Sequence, residues 1–198
     1  MATITAAMVK ELREKTGVGM MDCKKALTET DGDMEKAIEV LRKSGVAKAE
    51  KRAHREAKEG VVEAYIHPGS KLGVLVEVNC ETDFVSNTDD FKDFARNVAM
   101  HVAATNPLAV KREEVDQNII DKEIQIYTEQ AKQQGKPDHI IEKIAQGRVE
   151  KYYSEIVLME QPYVKDPDKT IKDLLTETIA KVGENITIKR FARFRIGE

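Results

Sequence analysis

Apolar residues recur at helical spacing through the first quarter of the chain and predict three short helices. Gly17 is a typical C-terminal stop for the first, Asp31-Gly32 makes the next turn, and Asp33 is a good N-cap for the third, which we expect Gly45 to end. Residues 1–55 therefore predict a three-helix bundle. The apolar positions that define it are Met8, Val9, Leu12, Met21, Leu27, Met34, Ala37, Ile38 and Leu41.

A change of composition follows the bundle. Residues 46–58 are rich in Ala, Lys, Arg and Glu, which predicts a charged helical linker that continues to about residue 59. Its basic residues could contact nucleic acid, but the interspersed glutamates favour a solvated helix face. The basic residues are Lys48, Lys51, Arg52, His54 and Arg55.

Alternating apolar residues predict three strands in all. Residues 61–66 and 72–80 form a hairpin around the turn sequence His67-Pro68-Gly69-Ser70, and residues 186–196 form a terminal strand. We expect one apolar face on that last strand, interrupted only by Arg190. Its residues are Ile186, Ile188, Ala192, Phe194 and Ile196.

The remaining apolar patterns have helical spacing. They predict a long helix from about Asp89 to Ala104 and a projecting helical hairpin over residues 115–153. The proline-containing stretch Gln161–Asp168 predicts an irregular segment. A last helix ends at Gly183. Helices against a small antiparallel three-stranded sheet make an α+β fold, with residues 60–198 as the core and dimerisation domain.

The stretch Asn79–Val85 lies where the second strand turns towards the long helix, a position that often carries function. The chemistry of these residues alone is compatible with two interpretations of the stretch. Phe84 could fold into the core while Asp83 accepts backbone N–H groups. Alternatively, Phe84 could project beside Asp83 as a wedge that enters a pocket of a partner.

Composition and charge limit the classes of function that fit this chain. The chain has 198 residues, 41% of them hydrophobic and 34% charged, and its net charge of −3 argues against a protein that grips nucleic acid mainly through phosphates. No apolar run is long enough to span a bilayer, and no targeting segment is evident. Cys23 and Cys80 lack metal or disulfide spacing, so we expect a cytoplasmic protein.

Catalytic, cofactor and metal motifs are absent from the sequence. There is no phosphate-binding G-x-x-x-x-G-K-[ST] loop, no H-E-x-x-H helix and no complete calcium loop. We therefore expect a protein that acts by binding, without a cofactor or metal. The exposed edges of so small a sheet make a homodimer plausible.

Three ordered stretches carry a family resemblance. They run from Val9 to Leu27, including Thr16-Gly17-Val18-Gly19-Met20-Met21-Asp22-Cys23, then over Glu77–Val85 and Val182–Ile186. With them, the chain resembles bacterial elongation factor Ts, the guanine-nucleotide exchange factor for the GTPase elongation factor Tu. The single strand hairpin and single helical hairpin are similar to the short form of that family.

The resemblance implies specific roles. The bundle would be of the ubiquitin-associated type and contact the GTPase through Met20, Met21 and Lys24, although the two methionines could equally be bundle core. Thr82-Asp83-Phe84-Val85 would be the element that disturbs the magnesium site of the GTPase. His67, at the hairpin tip, is a weaker candidate contact.

The same resemblance bears on assembly. Short forms can join the sheets of two copies, but Arg190–Phe194 contains no cysteine for a covalent link. Two other functions stay open. The bundle could be an interaction module without exchange activity, or the basic linker could associate with RNA or the ribosome.

Overall fold

The structure is a computed structural model that describes residues 3–198. Within that range it contains eight α-helices and five strands, which confirms the predicted α+β fold. The elements are α1 Ala6–Thr16, α2 Met20–Glu29, α3 Met34–Arg52, β1 Glu59–Ile66, β2 Leu72–Cys80, α4 Asp83–Ser86, α5 Asp89–Thr105, α6 Gln117–Gln133, α7 Asp138–Ile156, β3 Pro162–Tyr163, β4 Asp166–Thr170, α8 Ile171–Val182 and β5 Ile186–Arg195.

The first three helices pack around one apolar cluster. Side-chain caps start two of them: the Thr5 hydroxyl accepts the N–H of Met8 at 3.3 Å, and the Asp33 carboxylate accepts that of Lys36 at 3.1 Å. Gly17 ends α1 with a φ of +68°, a conformation that favours glycine. The buried cluster consists of Val9, Leu12, Cys23, Ala26, Leu27, Ala37 and Leu41.

The third helix does not end at Gly45, so that prediction was wrong. The charged linker predicted to about residue 59 is helical only as far as Arg52, as part of the same helix. Helix α3 continues to Arg52, and β1 begins at Glu59. Gly45 is buried, and a Cβ built on it would lie 3.4 Å from the Cβ of Ala180 in α8. The glycine therefore allows two helices to approach closely, although it lowers the helix propensity of α3.

We expect Gly45→Ala to raise the free energy of unfolding by about 0.5–1 kcal/mol, because alanine favours a helix interior and its methyl group would make ordinary contact with Ala180. Urea unfolding of the two proteins measures this difference. A loss of about 1 kcal/mol would instead show that the added methyl group lies too close to Ala180 and that α3 and α8 cannot separate to accept it.

Strands β1, β2 and β5 form one sheet with β2 in the centre. The bounds of β2 agree with the predicted 72–80, and its side chains alternate strictly between the core and the other face. Helix α5 supplies a second buried row, from Phe91 to Val102. The inward row of β2 is Val74, Val76, Val78 and Cys80, all at most 2% exposed.

The prediction of one apolar face on β5, interrupted only by Arg190, was wrong. Ile186 and Ile188 are buried, but Lys189 and Arg190 are both exposed, and this shifts the alternation by one residue. Arg190 pairs with Glu77 at 2.7 Å on the outer face, whereas burying its unpaired charge would be costly. As a result Phe194 and Ile196 are 69% and 76% exposed.

Helices α6 and α7 form the predicted helical hairpin and pack along their length. The loop that precedes α6 is held to α7 and to the residues after it by Arg112, which forms ion pairs with Glu150 and Glu160. The same guanidinium lies 4.4 Å from the ring centre of Tyr153, a cation–π contact.

The segment after α7 is more regular than predicted, since residues 162–170 contain the antiparallel pair β3–β4, with Pro162 opposite Thr170. A buried polar network fixes it. The Val164 N–H donates to Nδ1 of His101 at 3.3 Å, and His101 Nε2 lies 2.9 Å from Gln161 Oε1. Burial lowers the pKa of His101 below its usual value.

This arrangement predicts a loss of stability in weak acid. The unfolded chain takes up a proton on His101 near pH 6.5, whereas the folded chain resists it, so the free energy of unfolding falls as pH drops below about 6.5. One histidine contributes at most about 1.4 kcal/mol per pH unit. Urea unfolding at pH 5 and 7 should show a smaller difference in His101→Gln; equal differences would contradict the prediction.

The chain divides into two compact units, each made of three segments. The first contains 1–61, 78–94 and 173–187, and the second contains 62–77, 95–172 and 188–198. The predicted boundary near residue 60 between a bundle and a core domain stays a prediction. Within 3–198, no helix is both long and apolar enough to cross a membrane.

Candidate partner-binding site

The turn after β2 is a single helical turn, α4, and Thr82 caps it. The hydroxyl of Thr82 accepts the N–H of Val85 at 3.4 Å. The interpretation in which the Asp83 side chain accepts the backbone N–H groups of this turn is therefore wrong. The Asp83 carboxylate is exposed, and within the described chain it has no hydrogen bond or ion pair.

Phe84 projects from this turn, and its side chain is 85% exposed, more than any other large apolar side chain described. This excludes the reading in which Phe84 packs into the core. Val85 and Ser86 are buried instead, at 8% and 7% exposure. The turn therefore places Asp83 and Phe84 in solvent while the next two residues anchor it.

The backbone of the turn is well satisfied, which limits its freedom. The Ser86 hydroxyl and the Asn87 amide both donate to the carbonyl of Asp83, at 2.8 and 2.9 Å, and the Thr88 hydroxyl donates to that of Val85 at 2.7 Å. Each of these carbonyls also accepts a backbone N–H, from Asn87 and Thr88 respectively, so the side chains add further donors at the end of this short helix.

A buried thiol joins the turn to the end of β2. Cys80 is fully buried and its thiol donates to the carbonyl of Thr82 at 3.1 Å. Burial raises the pKa of this thiol to about 11, so it remains protonated and keeps its donor at neutral pH. Both cysteines of the chain are free.

Two carboxylates connect the turn to the loop between α8 and β5. Glu184 accepts both the N–H of Thr82, at 3.0 Å, and its hydroxyl, at 2.6 Å. In the opposite direction, Glu81 accepts the N–H of Asn185 at 2.7 Å and pairs with Arg55 at 3.4 Å. We call Glu81, Thr82, Glu184 and Asn185 the carboxylate latch.

Asn185 and Arg55 complete this arrangement. Asn185 is 3% exposed, and its side chain donates to the backbone carbonyl of Arg55 at 2.8 Å. Arg52 donates to the carbonyl of Ile179 at 3.5 Å. Arg52, the last residue of α3, and Arg55, three residues after it, are thus engaged within their own unit.

The candidate contacts on α2 are all exposed. Met20 and Met21 are 51% and 78% exposed, so neither belongs to the bundle core, and Lys24 is exposed one turn after Met20. Cys23, Ala26 and Leu27 form the buried side of the same helix. A surface of two flexible thioethers and an ammonium group is well suited to contact another protein.

His67 lies at the exposed tip of the β1–β2 hairpin, where its Nδ1 is 3.1 Å from the Tyr65 hydroxyl. It belongs to the second compact unit, whereas the turn and α2 belong to the first. Among residues 3–198, no group of three or more His, Cys, Asp or Glu side chains could hold a metal ion.

Comparison with known proteins identifies the family. The sequence model of the family described as Elongation factor TS matches residues 5–198. The chain therefore belongs to the elongation factor Ts family. Relatives named elongation factor Ts include that of Carboxydothermus hydrogenoformans, 62% identical over 98% of this chain and 90% of the relative, and that of Desulfosudis oleivorans, 59% identical over the full length of both.

The elongation factor Ts of Alkaliphilus metalliredigens is similarly close, 62% identical over 99% of this chain and 91% of the relative. These matches make the protein a member of a family of translation elongation factors. They cover the turn, the latch and α2 alike.

Sequence reasoning did not assign a role to the latch. In the sequence, Val182–Ile186 indicates only the family resemblance, although it contains two polar residues, Glu184 and Asn185, between a helix and a buried strand. A second such pair, Glu81 and Thr82, directly follows β2. These two polar pairs are the local indication of the latch. Their contact joins residues 102 positions apart, and neither segment alone predicts it.

Proposed function

We propose that this protein is the guanine-nucleotide exchange factor of elongation factor Tu and promotes GDP release during translation elongation. The observation that carries the proposal is Phe84, an aromatic side chain 85% exposed on a turn that is held by several side-chain hydrogen bonds. Family membership supports elongation factor Tu as the partner. Leaving such a ring in water forgoes about 2–3 kcal/mol of burial, which a partner pocket would recover.

The proposed mechanism starts from the bound nucleotide. In a P-loop GTPase, Mg²⁺ bridges phosphate oxygens and protein ligands and offsets their negative charge. Insertion of Phe84 between helices near this site displaces those ligands, and the GDP is then held less tightly. The protein acts by binding and forms no covalent bond.

The same coupling explains turnover. Because coupling between two sites is reciprocal, a factor that weakens nucleotide binding is itself bound less tightly once nucleotide is present. GTP that enters the empty site therefore expels the factor. Asp83, exposed beside Phe84, would face the GTPase in this complex.

We further propose that Met20, Met21 and Lys24 form a second contact with the GTPase, and that His67 contacts it from the hairpin tip. Val85 would act indirectly, since its side chain is buried and anchors the turn. The three α2 residues are exposed on one helix, which is the support for a single contact surface.

Release of fluorescent GDP from purified elongation factor Tu tests the function. Catalytic amounts of the protein should accelerate release, and added GTP should compete with the factor for the GTPase. If release is unchanged at saturating protein, the exchange function is wrong, and a non-exchange interaction module becomes the better account of the exposed turn.

We also propose that the protein forms a homodimer. The outer sheet face, defined as Val62, Ile66, Leu75, Phe194 and Ile196, exposes five large apolar side chains at 45–76% each. The ion pair Arg190–Glu77 lies on the same face. A second copy related by a two-fold axis would cover it with the same five residues, as two sheets pack face to face.

A further inference from the structure

The carboxylate latch carries an inference about how the proposed wedge is held. Two segments distant in the chain are joined by hydrogen bonds in both directions. Glu184 accepts a hydrogen bond from the N–H of Thr82, and Glu81 accepts one from the N–H of Asn185. Hydrogen bonds with a charged acceptor are roughly twice as strong as neutral ones. The turn is therefore tied to the α8–β5 loop from both sides.

Glu184 acts on the same hydroxyl that caps α4. The Thr82 hydroxyl donates to Glu184 at 2.6 Å, so its lone pairs face the N–H of Val85, which it accepts at 3.4 Å. A hydroxyl that donates to a carboxylate becomes a better acceptor. Glu184 thus orients the cap, and the cap sets the direction in which Phe84 leaves the turn.

We infer that Glu184 is a positioning residue for nucleotide exchange, which holds the Phe84 turn in the conformation that enters the GTPase. This inference rests on the proposed exchange function. A turn held in its bound form avoids the entropic cost of ordering on binding. Without Glu184 the wedge would be present but loosely directed. Since the proposed α2 contact would still bind the GTPase, the cost of ordering the turn would fall on the step in which Phe84 enters, and so on the rate at saturation more than on the affinity.

A double-mutant cycle separates this role from a general loss of stability. The variants are Glu184→Ala, Phe84→Ala and the pair, each assayed for its maximal rate of GDP release and its half-saturating concentration. We expect Glu184→Ala to lower the maximal rate about tenfold in the protein with Phe84 and less than twofold in the Phe84→Ala background. Equal losses in both backgrounds would overturn the inference.

Two further variants sharpen the test. Glu184→Gln keeps one acceptor oxygen and should give an intermediate rate even if the alanine variant folds poorly. Glu150→Ala is the matched control, because that carboxylate also accepts two hydrogen bonds, from Arg112 at 3.1 and 2.7 Å. Its rate should equal that of the wild type, and a tenfold loss there would contradict a specific role for Glu184.

Amide hydrogen exchange of the free protein distinguishes the latch from the exchange function. Glu184→Ala should speed exchange at Thr82 and Val85 at least tenfold while the amides of α6 and α7 are unchanged. Unchanged protection at Thr82 and Val85 would overturn the latch. Faster exchange, combined with no GDP release by the wild type, would leave the latch and overturn the proposed function.

Discussion

Phe84→Ala will lower the maximal rate of GDP release from elongation factor Tu at least tenfold, equivalent to about 1.4 kcal/mol of lost coupling. In the proposed mechanism, this ring is the side chain of the turn that is large and exposed enough to displace groups around the magnesium site of the GTPase. Because it is 85% exposed, its removal leaves no cavity, and the free energy of unfolding should change little. Stopped-flow fluorescence of labelled GDP measures the rate.

Leu108→Ala is the matched control for this variant, since Leu108 is also a large apolar side chain, 54% exposed, in the other compact unit. It should release GDP at the wild-type rate. Rapid release that survives Phe84→Ala would show that another surface drives exchange. A large fall in unfolding free energy for Phe84→Ala would instead show that the ring packs within the protein.

We expect Phe194→Glu to convert the proposed dimer to a monomer in solution. The substitution places a charge on the outer sheet face, and each dimer would then bury two carboxylates without partners, at a cost of several kcal/mol. Sedimentation equilibrium should give twice the 22.3 kDa chain mass for the wild type and one chain mass for the variant.

The control for assembly is Leu108→Glu, which adds the same charge at another exposed apolar position. It should remain dimeric. A wild-type protein that sediments as a monomer at tens of micromolar would contradict the dimer proposal. Reducing agent should have no effect, because both cysteines are buried and free.

The local sequence predicted the position of the turn that carries the candidate site, but not which of its side chains faces solvent. The alternation of β2 up to Cys80 located the turn, and the cap residue Thr82 was in the motif itself. Whether Phe84 or Val85 enters the core was not decided by either residue, since both are apolar. The orientation follows from the cap and from Glu184, which lies 102 residues away in the chain.

The sequence by itself determined the α+β class, the three N-terminal helices, the hairpin strands and the two long antiparallel helices, because each rests on apolar periodicity and local turn residues. Only the tertiary structure decided that α3 continues through Gly45, where α8 approaches, and that β5 reverses its faces at Arg190, where Glu77 holds the charge outside. It also decided the carboxylate latch. In all three cases the deciding contact joins segments distant in the chain, and local patterns contain no information about such partners.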